Sequence, residues 1–119
     1  MALHSGHYVY MIVEREYLSV VPEVIKVGFS TNFTARARAY PKSSLVLATF
    51  RVSSGRDAER AIITAMRARY VRRKDIGAEY FQVDDLCAAM NLFAVTATRF
   101  ACSSPSSSEV IEDRMIIDG

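Results

Sequence analysis

Hydrophobic positions alternate in some stretches of the chain and recur at helical spacing in others, and the two patterns divide it into elements. His7 to Val13 is aromatic and β-branched, the composition of a strand. Alternation sets Tyr8, Tyr10 and Ile12 on one face and Val9, Met11 and Val13 on the other. Val24 to Phe29 is a second strand, a buried run of Val24, Ile25 and Val27 broken by one cation, Lys26, and closed by Gly28. Glu14 to Pro22 is a polar connection, so these two strands pair most simply as antiparallel neighbours. Ser30, Thr31 or Asn32 can cap a helix that runs to Tyr40 and stops at Pro41, and Ser44 to Val52 is a third strand.

The longest amphipathic helix opens at Gly55 and runs to about Val71. Ala58, Ala61, Ile62, Ala65, Met66 and Tyr70 follow its apolar stripe, and Asp57 and Glu59 sit in the first turn, where acids complement the helix dipole. Arg60 and Arg67 point away from that stripe and are placed to line a binding surface. Arg72 to Gly77 is a basic turn, and Glu79 to Val83 a brief strand or extended segment. Asp84 or Asp85 caps a last helix through about Phe100, with Leu86, Ala89, Met90, Phe93 and Ala97 inward. Residues 1–102 thus read as one domain. Residues 103–119 read as a Ser/Pro linker and a mobile acidic tail, whose apolar EVIEDRMII has the alternative of docking. No internal repeat is present.

Charge alters this picture more than composition does. The 119 residues carry a formal net charge of +2. Four acids against Arg114 make residues 103–119 net −3, which leaves +5 on residues 1–102. Arg36 to Lys74 holds eleven Arg or Lys against Asp57 and Glu59, a segment of +9, and so one-sided a distribution favours a polyanion partner over a merely solvated face. The two cysteines, Cys87 and Cys102, have no paired spacing; Cys87 falls in an apolar helical pattern and reads as core filling. His4 and His7 lack a nearby third ligand and read as bystanders. No secretory start is visible, and the most apolar window, Leu86 to Ala101, contains Asn91 and Arg99 and is short of a membrane span, so the chain reads as soluble and intracellular.

Four residues carry candidate chemistry. A phosphodiester hydrolase needs a metal ligand, a cation for the scissile phosphate, and a group to position or deprotonate water. Glu59 can hold one Mg²⁺ or Mn²⁺, Arg36 can grip phosphate oxygens, and Tyr10 or Lys26 can handle the water. Each also has a plainer reading: a core tyrosine with a wet hydroxyl, a first-turn acid, a solvated arginine and a snorkelling edge-strand lysine.

Order and spacing add a resemblance. Gly6-x-x-Val9-Tyr10, Lys26-Val27-Gly28-x-Ser30-x-Asn32-x-x-x-Arg36, Ala58-Glu59-Arg60 and Glu79-Tyr80-Phe81 together resemble the GIY-YIG nuclease superfamily, nearest to its viral and phage DNA-binding branch with a KIG-like second strand. The resemblance runs from about Gly6 to Val83. It implies a small α+β domain whose three-stranded antiparallel sheet is flanked by helices. Tyr10 would assist the attacking water, Arg36 would contact phosphate, Glu59 would bind the single divalent metal, and Gly28 would let the backbone approach its neighbours. Lys26 replaces the second-motif tyrosine, Ile63 stands where a histidine is frequent, and no late asparagine is evident. The reading is a metal-dependent DNA endonuclease leaving a 3′-hydroxyl. Lys26, Arg36, Arg38, Arg60 and Arg67 contact DNA; a non-catalytic DNA-binding module and a protein-interaction scaffold are the alternatives.

Overall fold

The computed structural model describes residues 6–101 and 115–116. His4, Cys102 and the Ser/Pro linker lie outside the described residues. The elements are β1 (His7–Val13), a 3-10 turn (Arg15–Tyr17), β2 (Glu23–Ser30), α1 (Phe33–Arg38), β3 (Leu45–Val52), α2 (Gly55–Arg67), β4 (Val71–Arg72), β5 (Tyr80–Val83), α3 (Leu86–Thr98) and β6 (Met115–Ile116). Asn32, Ser54 and Asp85 cap the three helices by accepting from Ala35 N, Asp57 N and Ala88 N.

The α+β class holds, but the expected three-stranded sheet is overturned. The sheet has six strands in the order β4-β5-β2-β1-β3-β6, every neighbouring pair antiparallel. The expected three, β2-β1-β3, are only its centre. The reason lies at the edges. Val24 and Ile25 are buried, so an uncovered β2 would leave its backbone donors and acceptors without partners in an apolar setting; β5 pairs with that edge from Glu23↔Val83 to Lys26↔Tyr80. Arg72, expected in a turn, pairs with Phe81 in the short ladder of β4 on β5. On the far side, Met115 and Ile116 pair with Val46 and Leu45.

Alternation along β1 separates two cores as expected. Val9, Met11 and Val13 join the larger one, under α2 (Ala58, Ile62, Met66) and α3 (Ala89, Phe93, Ala97). Tyr8, Tyr10 and Ile12 face the smaller one with Phe33 of α1 and Val46. Cys87 is a correction: it is exposed, since Ala89, Phe93, Thr96 and Ala97 define the buried side of α3.

Phe93 is fully buried where α3 meets α2 and the sheet. Phe93→Ala is expected to lower the unfolding free energy by about 3–5 kcal/mol, a large share of a small domain's total. Denaturant melts with an unchanged m-value are the check.

Candidate active site

The ladder between β5 and β2 ends at Lys26↔Tyr80, followed by one bond from Val27 N to Glu79 O. Beyond it, among the described residues, no strand covers the outer edge of Gly28 to Ser30. A cleft of about 600 Å³ wraps around this edge and collects side chains from both faces of the sheet. Tyr10, Lys26 and Arg36 line it, as do Glu59 from α2 and Glu79 from the start of β5. The structure therefore brings together all four residues singled out for chemistry, though β1, β2, α1 and α2 each supply one.

Tyr10 stands directly opposite Gly28 in the antiparallel register. A Cβ on Gly28 would lie 2.5 Å from both the Tyr10 Cζ and hydroxyl oxygen, so the bare backbone is what lets the phenol lie across it. The Tyr10 hydroxyl is 2.7 Å from that of Tyr40, just past the C-terminal end of α1. Lys26 Nζ donates to the Tyr40 oxygen at 2.9 Å and lies 4.9 Å from the Tyr40 ring centre and 5.6 Å from that of Tyr80. Tyr80 in turn donates to Glu14 Oε2 at 2.8 Å. Burial, reinforced by the bond to Tyr40, pushes the Tyr10 phenol above the usual tyrosine range, so it keeps its proton. Burial likewise raises Tyr40, against the bond from Tyr10 and the charge of Arg36.

Glu59 is pushed up to about 7, first by burial and then by the charge of Glu79 and a hydrogen bond to it, against the opposing pull of Lys26 and Arg36. Two carboxyl groups that close together share a proton or need a cation between them. Glu79 was visible in the sequence only as part of a Glu-aromatic-Phe pattern, and the sheet register is what turns it into the neighbour of Glu59. Tyr40 was visible only as the last residue before Pro41. His7, read as a bystander, also lines the cleft, and its Nδ1 accepts from Gly55 N at 2.8 Å, anchoring the start of α2 to β1. An accepting Nδ1 leaves the proton of the neutral ring on Nε2.

The cations divide by position. Arg36 lines the cleft, Arg60 and Arg67 line an adjoining depression of about 360 Å³ along α2, and Arg38 lines neither. The ion pairs among the described residues are Arg15–Glu16 and Arg73–Asp75, so within that set no cation of the cleft or of α2 has a carboxylate within salt-bridge distance. No group of three or more His, Cys, Asp or Glu is placed to hold a metal among the described residues. The paired oxygens of Glu59 and Glu79 nevertheless fit Mg²⁺ or Mn²⁺, hard ions commonly held by one or two carboxylates, with waters and phosphate oxygens completing the shell.

An α+β sheet with a tyrosine on its first strand, a glycine opposite it, and an arginine and a glutamate converging from two helices defines a GIY-YIG-like, nuclease-associated fold. The chain belongs to the T5orf172 domain family, whose model matches residues 7–99, and this family is associated with DNA binding. No curated protein and no solved structure matches the chain. No helix among the described residues is long and apolar enough to cross a membrane.

Two outcomes follow from this geometry. Gly28→Ala forces the Tyr10 phenol out of place, and is expected to cost about 1–3 kcal/mol of stability, read as a lower thermal midpoint. The carboxyl pair gives a pH dependence with a definite sign. Glu59 binds its proton more tightly folded (about 7) than unfolded (4.5), so its contribution is full below about 4.5 and is lost as pH rises to 7. Without metal, the wild-type midpoint measured against Glu59→Gln is expected to fall between pH 5 and pH 8. The fall corresponds to about 1 kcal/mol after allowance for solvent screening.

Proposed function

We propose that this domain is a metal-dependent DNA endonuclease of the lysine-bearing GIY-YIG kind, hydrolysing a phosphodiester bond in the cleft at the open edge of β2. The observation that carries this reading is the convergence, around one glycine, of a carboxyl pair, two cations and a hydrogen-bonded tyrosine pair.

Arg36 presents a guanidinium that has no carboxylate partner among the described residues, and holds the non-bridging phosphate oxygens. Lys26, fixed between the Tyr40 and Tyr80 rings, adds a second positive charge. Tyr10 orients the attacking water. As that water attacks phosphorus, its proton passes to the Tyr10 oxygen, the Tyr10 proton to Tyr40, and the Tyr40 proton to solvent; Lys26 on the Tyr40 oxygen steadies charge on that relay. The bond from phosphorus to the 3′ oxygen breaks, and that oxygen takes a proton from solvent, leaving a 3′-hydroxyl and a 5′-phosphate. Glu59, supported by Glu79, would hold the Mg²⁺ or Mn²⁺, which when bound supplies Lewis-acid stabilisation of charge on the phosphate. Displacing the shared proton is part of binding that ion, so the carboxyl pair is the pH-sensitive element of the site.

A second reading has its own observation. Burial and Tyr40 keep the Tyr10 proton in place, and Lys26 stands where the family motif has tyrosine, so the same cleft also suits a module that binds DNA without cutting it.

Plasmid nicking in Mg²⁺ or Mn²⁺ separates the two. Cleavage should rise with pH through about 7 as the carboxyl pair ionises. It should drop by at least about 100-fold in Glu59→Gln and by about 10–100-fold in Tyr40→Phe, which keeps the ring and removes the relay oxygen. Equal activity of Glu59→Ala and wild type would remove the metal-ligand assignment. Salt-sensitive binding with no cleavage in any divalent metal would leave the binding module.

A further inference from the structure

The cleft does not end at the active residues. Phe29, Arg56 and Glu59 line both it and the depression along α2, so the two form one continuous groove. Arg56, Arg60 and Arg67 recur four and seven residues apart, which sets them on one side of the helix over about 16 Å. All three are exposed, and none is ion-paired among the described residues. Between them the groove is lined by Phe29 and Ile63, with Thr64 and Glu59 beside them. Phe29 is held firmly: a Cβ on Gly55 would lie 2.4 Å from its ring, so the ring rests directly on the first residue of α2. It is nonetheless only partly buried, unlike Val27 before it on the same face of β2.

A surface that only tracks phosphates needs cations and no immobilised aromatic ring. Duplex DNA offers phosphates but keeps its base faces stacked inside, whereas an unpaired strand offers both phosphates and base faces. The geometry points to the α2 groove as a subsite for single-stranded nucleotides beside the scissile bond. An unpaired base stacks on Phe29, and flanking phosphates lie on Arg56, Arg60 and Arg67. The preferred substrate is then DNA with an unpaired tract adjoining the cut. This rests on the cleft being the phosphodiester site, and Arg56 joins it as a binding residue that charge patterning did not single out.

Fluorescence anisotropy on the full chain in EDTA, where no metal-dependent cleavage occurs, tests it. The probes are an oligothymidylate of about 12 nucleotides and a duplex of the same length. The expected result is at least tenfold tighter binding of the single strand. In Phe29→Leu, which keeps an apolar side chain on Gly55, that preference should fall about tenfold. Arg56→Gln should flatten the salt dependence of single-strand binding by about 0.7 in log–log slope. Circular dichroism melts establish that both variants are folded. Equal affinity for both probes, or an unchanged preference in folded Phe29→Leu, would overturn the subsite while leaving the nuclease reading intact. Binding to neither probe would overturn both.

Discussion

The site depends on one close contact, the Tyr10 phenol lying across the backbone of Gly28. Tyr10 is 1 % exposed, so its hydroxyl must find a partner inside the protein, and the one it finds is Tyr40. That bond fixes the end of α1 over the sheet, and Tyr40 then supplies the oxygen that receives Lys26. A side chain at position 28 would leave no room for the phenol along this line. The loss would pass from the tyrosine pair to the lysine and to the helix that carries Arg36. A small residue here is therefore a condition of the architecture, and the chemistry inherits it.

The second constraint is electrostatic. Burial and mutual repulsion make Glu59 and Glu79 poor neighbours when both are ionised, and Lys26 and Arg36 offset only part of that cost. No such pair is needed to hold the sheet, whose centre is packed by Val9, Met11, Ile25, Val27 and Leu47. A locally unfavourable charge arrangement at the rim of a well-packed core marks a candidate functional site. The open edge of β2 makes it possible. β5 covers the deeply buried stretch of that strand and its ladder ends at Lys26, so the edge left unpaired among the described residues lies along the cleft.

Much of this was legible in the chain. Apolar patterning placed β1, β2, β3, α2 and α3, and in α2 the buried stripe of Ala58, Ile62 and Met66 appears directly in the spacing of the residues. The two faces of β1 came from alternation alone. Short-range signals failed where pairing, not propensity, makes the element. Val71–Arg72 is a strand only because Gln82 and Phe81 lie beside it, and the three-stranded expectation undercounted the sheet for that reason. Cys87 was misplaced because α3 is apolar on most sides, so composition does not mark its buried side.

The candidate residues divide along the same line. Sequence order alone singled out Tyr10, Lys26, Gly28, Arg36 and Glu59 as candidates, from their offsets within strands and helices. Tertiary structure decided which side chains they meet. Glu79 meets Glu59, Tyr40 meets Tyr10 and Lys26, and His7 meets Gly55 across sequence separations that no local pattern encodes. Local spacing controls which face a side chain occupies, because backbone geometry is periodic. Which side chains share a cleft is set by sheet register and helix docking, and those follow from how the whole core packs.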